Sequence, residues 1–348
     1  MISYTVPARV GILGNPSDGY GGRTLGLAVP HFGATVELEE SDELEIIPNP
    51  DDEPIWDTVD DLIERTESYG YLTGAQLLAA TVRTFADVAS FEVSSGVEGS
   101  PMLAGFSSAR FALRYKTSIP RQVGLGGSSA LVIAALRCLN EFTELEVPDE
   151  ILPSIALRVE TEQLGLTAGL QDRVVQTYGG LVAMHFGEMV TDARFGVAHG
   201  EYHLVDQDNL PPLFLAYREA AAESSSQYHR VLRQRYESGD STVRDVLHNL
   251  AGLALEGEAA LRWNDPERFA ELIGENMRLR RKLGAVRENQ IELIDLADGC
   301  DAPATFAGSG GAIVGAYTDA EHLSRIAGVL GQVDAVVVSI TVGAQSEA

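Results

Sequence analysis

Residues 120–129, PRQVGLGGSS, lead a glycine- and serine-rich loop straight into the apolar, alanine-rich run ALVIAALRCL. Gly124, Leu125, Gly126, Gly127, Ser128 and Ser129 therefore stand where a helix begins. A helix start leaves four backbone N–H groups without intrahelical partners and carries the positive end of the helix dipole. Glycines just before it let consecutive N–H groups curl inward and remove the Cβ atoms that would hold a phosphate away. A di- or triphosphate is the natural occupant. The two serine hydroxyls are suited to cap the helix, touch phosphate or ligate magnesium. The same pattern also serves a tight strand–helix connection with a serine N-cap. Neither common nucleotide loop fits: GxxxxGK[ST] needs a lysine that the segment lacks, and GLGGSS ends in serine where GxGxxG needs glycine. A dinucleotide-dependent oxidoreductase loses its main support by that absence.

The elements that must position this loop are legible from periodicity and turn formers. ARVGILG (8–14) reads as a buried strand stopped by Asn15, Pro16, Ser17, Asp18 and Gly19. LAVP and ATVELEE (27–30, 34–40) predict strands around a turn at Gly33, and FALRYKTSI (111–119) alternates like a strand. Helical spacing marks Thr73–Ala89, Ser129–Leu145, residues 150–164, most of 225–298 and 320–330. GGLVAMHFG (179–187), PLFLAYR (212–218) and DAVVVSITVG (334–343) read as strands, and TFAGSGGAIVGAY (305–317) as strand, glycine turn, strand. Strands grouped between helices without strict alternation favour an α+β class. A chain of 348 residues suggests two domains, and the boundary is expected near residue 200, giving 1–200 and 201–348.

Charge narrows the partners. The formal net charge is −26, with 51 acids against 25 Lys and Arg, and Lys116 and Lys282 are the only lysines. Such a surface repels nucleic acid and anionic lipid. The densest acidic run, Glu37–Glu64, reads as solvated surface. Acid-rich, lysine-poor surfaces suit a salty cytoplasm, where screening at ~1 M salt acts within about 3 Å. Thermal stability is therefore expected to rise along a salt series, and a melting temperature highest at low salt would refute salt adaptation. The N-terminus shows no signal-peptide pattern, and no apolar stretch reaches the roughly 18–20 residues of a membrane span. Cys138 and Cys300 form no ligand pattern and read as buried thiols in a reducing cytosol. His199 and His203 lack a helical context, so a metal site there is not expected.

GLGGSSA after a proline resembles the second motif of the GHMP kinases, which phosphorylate small hydroxylated molecules with ATP. PARVGILGNPSD is similar to that family's first motif, and FAGSGGAIV to its third. The three stand in family order across nearly the whole chain. GNPSDGYGGRT, IPRQVGLGGSSA, AGLQDRVVQTYGGLV and NMRLRRKLG together resemble the glucuronokinases, which phosphorylate D-glucuronate at its anomeric hydroxyl. Gly126 departs from the serine usual in that subgroup, and QYHRVLRQRY lacks a lysine expected before its histidine.

The resemblance implies a two-domain fold: an N-terminal domain like ribosomal protein S5 domain 2, a ferredoxin-like C-terminal domain, and an active site between them. ATP and Mg2+ are the implied cofactors, and a small sugar or uronic acid the implied partner, to a monomer or homodimer. Gly124–Ser129 would cradle the phosphates; Gly308, Ser309 and Gly310 would approach them or brace the first loop. Ser129 and Glu160 match the metal positions, with Glu162 as the alternative, although a helix turns the two about 200° apart. Asp172 matches the catalytic aspartate, unless it merely pairs with Arg173. Arg9 stands where the family places a cation, unless it is an ordinary surface arginine. Asp18 is suited to two adjacent sugar hydroxyls, with Ser17 and Asn15 as helpers that a tight turn also needs. A uronate carboxylate calls for a guanidinium fork; Arg23 and Arg280 are candidates, as are Arg278 and Arg281. Galactose, a heptose phosphate or an isoprenoid alcohol remain alternative acceptors. A non-catalytic ATP- and sugar-binding sensor is the alternative from another class; it need not keep Ser129, Glu160 and Asp172 together.

Overall fold

The computed structural model describes residues 1–49, 73–94, 100–218, 226–284, 288–308 and 311–341. The first half is a mixed sheet. β1 (Ile2–Leu13) runs antiparallel to β2 (Arg23–Glu40), and β3 (Glu45–Ile46) lies beside β4 (Phe111–Thr117). β2 is one long strand, not two. Its pairing with β1 jumps from Pro7–Gly33 to Ala8–Val29, so Pro30–Phe32 bulge out where a turn was expected and the strand continues. The far edge of β2 is shared: its second half pairs with β4, its first half with β5 (Leu181–Thr191). β6 (Ala198–Val205), which periodicity alone does not mark, completes this sheet. A division at residue 200 would cut β6, so the first sheet extends to Val205.

Helices cover one face. α1 (Gly74–Ser94) and the short α2 (Pro101–Ala104) precede β4. α3 (Gly127–Thr143) is apolar nearly all round, and Ala130, Val132, Ile133, Ala134, Ala135 and Leu136 are sealed from solvent. Burial on all sides is what such a helix requires. α4 (Leu152–Arg158) widens into a π turn over Val159–Gln163, and α5 (Gln171–Tyr178) follows.

The second half is an antiparallel sheet in the order β10–β7–β9–β8, from β7 (Leu213–Tyr217), β8 (Ala304–Phe306), β9 (Ala312–Ala316) and β10 (Val336–Ile340). Its helices are α6 (Ser226–Glu237), α7 (Ser241–Arg262), α8 (Pro266–Lys282), α9 (Glu288–Asp298) and α10 (Ala320–Gly331). Local rules set their starts: Asp240, Asp265 and Asp319 cap α7, α8 and α10 through N–H bonds from Val243 (3.2 Å), Arg268 (2.9 Å) and His322 (2.8 Å). Pro266 occupies the first turn of α8. α7 crosses the β1–β2 hairpin closely enough that a Cβ on Gly257 would overlap Leu13. Both cysteines are buried free thiols, and no described helix is long and apolar enough to cross a membrane. The acidic run is described only as far as Asn49.

Candidate active site

Arg9 is buried on β1, so it is no surface arginine. Its Nη1 donates to the Gly124 carbonyl (2.6 Å) and the Ala307 carbonyl (3.1 Å), and its Nη2 pairs with Asp172 in the first turn of α5. One side chain thus ties the glycine loop, the third glycine turn and the expected catalytic carboxylate together. Asp172 pairs with Arg9, not with its neighbour Arg173.

The loop itself is held by its carbonyls. Leu125 O accepts from Arg9 N (3.1 Å), and Gly126 O accepts from Gln176 Nε2 (2.7 Å) and Ser129 Oγ (3.1 Å). Gly126 has φ +77°, and a Cβ there would come within 2.8 Å of Gln176 Nε2. A serine at this position would be strained, which explains the glycine. With these carbonyls turned inward, α3 starts at Gly127 with no side-chain cap and no acid in its first turn. Gly127 is half-buried and Ser128 exposed, so the uncapped start is open to an anion.

The third turn braces this loop. A Cβ on Gly308 would lie 2.5 Å from Gly124 O and 3.1 Å from Arg9 Nη1, and one on Gly311 would meet Val123. Ser309 and Gly310 lie outside the described residues. Arg280 is buried; Nη1 donates to Phe306 O (3.0 Å) and Nη2 to Gly308 O (2.8 Å), with the guanidinium over the Phe306 ring. Its fork is committed to the turn's own carbonyls.

The turn expected to face the acceptor, Gly14–Tyr20, is anchored from the other half by Asn276 on α8, whose Oδ1 accepts from Gly14 N (2.9 Å). Ser17 is buried and donates to Arg23 O (2.9 Å), so its hydroxyl closes the turn. Asn15 donates weakly to Phe306 O (3.4 Å), leaving Oδ1 without a partner. Asp18 reaches toward Gly169, two residues before α5; a Cβ on Gly169 would lie 2.8 Å from Asp18 Oδ2.

Burial and then the charge of Asp172 push the Asp18 carboxyl up to about 6, against the opposing pull of Arg9. The folded value lies above the unfolded one, so the ionised form is penalised in the folded protein. The penalty is absent below the unfolded value of 3.8 and complete above about pH 6. Asp18→Asn should therefore stabilise the protein by about 1–2 kcal/mol at pH 7.5, allowing for the screening of a half-buried group, and by nothing near pH 4. Thermal melts at the two pH values test this; equal shifts at both would refute it.

Glu160 is buried against Arg173, and the two form an ion pair. Glu162 points outward and pairs with Arg158 at 3.2 Å. Burial and the nearby Arg9 charge push the Arg173 guanidinium down to about 9, opposed by Asp18. Buried polar atoms without partners gather here among the described residues: Arg9 Nε, Asn15 Oδ1, Arg173 Nε and Gln176 Oε1. Native interiors rarely tolerate such atoms outside working sites.

Of the other arginine candidates, Arg278 is exposed beside Glu275 (3.9 Å) and Arg281 pairs with Asp295 (2.5 Å). Arg23 lies opposite His185 on the β2–β5 pair and lines a cavity with residues of α7, whose walls do not include Asp172. Sequence reasoning missed Arg173, Gln176 and Asn276 as positioning residues. Arg233, on α6, is a further residue that it does not single out. Arg233 Nη2 donates to Gly19 O (3.2 Å), and its guanidinium lies 5.3 Å from the Tyr20 ring centre. It has no carboxylate partner among the described residues. No local signal marks it, because α6 meets the turn only through the fold. His199 and His203 sit on β6, and no group of three potential metal ligands forms among the described residues.

Residues 97–180 match the GHMP kinases N terminal domain. The chain is 40% identical to glucuronokinase 1 of Arabidopsis thaliana over 316 residues, spanning 88% of this chain and 82% of that protein. Among solved structures, it is similar to the galactokinase of Lactococcus lactis complexed with galactose, with a TM-score of 0.72, 16% identity, and coverage of 98% and 93% of the two chains. The mevalonate kinase of Methanococcus jannaschii aligns over 97% of each chain with a TM-score of 0.69 and 18% identity. These two likenesses establish the two-domain kinase fold.

Proposed function

The chain belongs to the GHMP kinases and, within them, to the glucuronokinases, and from that premise we propose that it transfers the γ-phosphoryl group of ATP to the anomeric hydroxyl of D-glucuronate. The observation that carries the reading is the Arg9–Asp172 pair set between the glycine loop and the acceptor turn. The acceptor oxygen attacks the γ-phosphorus, and the bond from that phosphorus to the bridging oxygen of ADP breaks. Asp172 accepts the hydroxyl proton. Arg9 holds Asp172 in place and offsets charge on the transferring group, and the uncapped start of α3 takes the other phosphates. Asp18, ionised above about pH 6, accepts hydrogen bonds from two sugar hydroxyls.

Ser129 and Glu160 offer one hydroxyl and one carboxylate oxygen, donors that suit magnesium alongside phosphate oxygens and water. Glu160 would share its charge with Arg173. When bound, the ion would neutralise phosphate charge. Two free buried thiols fit a reducing cytoplasm.

Arg233 is best placed for the uronate carboxylate. It adjoins the residue after Asp18, and no acid among the described residues occupies it. ADP release with ATP and magnesium, over glucuronate, galacturonate, glucose, galactose, a heptose phosphate and mevalonate, tests the reading. Glucuronate should turn over best, and turnover confined to another acceptor would overturn the substrate. Arg233→Gln should raise KM for glucuronate at least 10-fold and leave the KM for glucose, where measurable, within 2-fold.

A further inference from the structure

Behind the acceptor turn lies a cavity of about 640 Å³, a volume typical of small-molecule sites. Its walls are Ser17 and Tyr20–Gly22 of the turn, Arg23 and His185 of the sheet, and residues of α6 and α7 that include Tyr236, Arg244 and His248. None of these lining residues is acidic, in a chain where acids outnumber Lys and Arg by 51 to 25.

The contrast with neighbouring arginines is sharp. On α6 and α7 Arg235 pairs with Asp240 and Arg262 with Glu258, and on the adjoining α8 Arg268 pairs with Glu256, Glu271 and Glu275. Arg23 makes no side-chain hydrogen bond or ion pair with any described residue. Arg244 only donates to Tyr236 O (3.3 Å) and lies over the Tyr236 ring (5.4 Å). His248 has no described partner either, and His185 stands 3.7 Å from Glu201. Two arginines without carboxylates concentrate positive potential in one concave place on an otherwise acidic surface, and two histidine rings beside them add N–H groups. Leu247, Ala251 and Leu255 add an apolar floor, which suits an organic anion better than a bare inorganic one.

We infer that this cavity is a second ligand site, distinct from the catalytic one, for a small phosphate-bearing metabolite. Its phosphate sits between Arg23 and Arg244, with His185 and His248 as further donors. The wall it touches is the acceptor turn. Ser17 and Tyr20 flank the segment that carries Asp18, so an occupant biases the acceptor's affinity through that turn. The inference uses the kinase fold but not the identity of the acceptor.

The test is calorimetric titration of the full chain with glucose 1-phosphate and, separately, with AMP as probes. AMPPNP, magnesium and a saturating acceptor hold the catalytic site filled, at low salt. One saturable equivalent with a dissociation constant below about 1 mM is expected. The preferred probe distinguishes a sugar phosphate from a nucleotide. Arg244→Gln and His248→Gln, both on exposed positions of α7, should each weaken it at least 5-fold while leaving probe-free kcat within 2-fold. The bound probe should shift the acceptor's KM at least 3-fold. Absence of saturable binding by either probe, or binding unaffected by both substitutions, would overturn the proposal. So would strict competition with the acceptor, which would make the cavity part of the acceptor site. The acceptor used is whichever one the ADP-release assay identifies, so failure of the glucuronate assignment leaves this test intact.

Discussion

Asp172→Asn should lower kcat at least about 10²-fold while the protein still folds and binds ATP. An amide cannot accept the acceptor's proton, and general-base catalysis contributes on the order of 10²–10⁴-fold. The substitution also removes the negative partner of a buried guanidinium. The amide oxygen can still accept from Arg9 Nη2, so the expected loss of stability is about 1–2 kcal/mol and not the larger cost of a stranded charge. A second signature separates chemistry from damage. Asp172 is one of the charges that push Asp18 up to about 6, so in the variant the Asp18 carboxyl should titrate lower. The pH dependence of acceptor affinity should then shift to lower pH. Single-turnover ADP release, a melting curve and ATP titration measure the three quantities. A folded Asp172→Asn protein that turns over near the parent rate would end the assignment of Asp172 as base.

Gly308→Val should cripple ATP use without replacing any group that does chemistry. Its Cβ would stand 2.5 Å from a backbone carbonyl, Gly124 O, which cannot swing aside as a side-chain end can. That carbonyl is also the one Arg9 Nη1 holds at 2.6 Å. Relief of the overlap must move the glycine loop, Arg9, or both. The expected result is a loss of kcat/KM for ATP of at least 100-fold, with a stability loss of roughly 1–3 kcal/mol from overpacking. Gly328→Ala in α10 is the control. Nothing lies within 4 Å of its added Cβ, so it should be neutral or slightly stabilising and leave kinetics unchanged. Equal kinetics in the two variants would mean that the third turn does not brace the loop.

Most of the architecture was readable because it is local. Apolar period and turn formers place the glycine loop before a helix and the strand–turn–strand around Gly308 near the C-terminus. The order of the three glycine and turn motifs is a property of the chain itself, and it suffices to point to the kinase family and to an ATP site at Gly124–Ser129. Two elements escaped for physical reasons. β2 was divided at Gly33, because a bulge that keeps a strand going has the same composition as a turn that ends it. β6 carries charged and polar residues on an exposed sheet edge, so it lacks the apolar pattern that marks a strand.

What the sequence could not decide was partnership between residues far apart in the chain. Asp172 sits next to Arg173, yet it pairs with Arg9, 163 positions away, because the start of α5 turns its first acid toward β1 and sends Arg173 to Glu160. Nor could spacing show that Arg280 is locked onto the Phe306 and Gly308 carbonyls, or that Arg233 arrives at Gly19 from α6. The chain alone determined which groups were available: a glycine loop before a helix, a carboxylate, a cation and a polar turn. Only the packing of two halves against one hairpin decided which charges face each other, since charge pairing depends on distance through space and not along the chain.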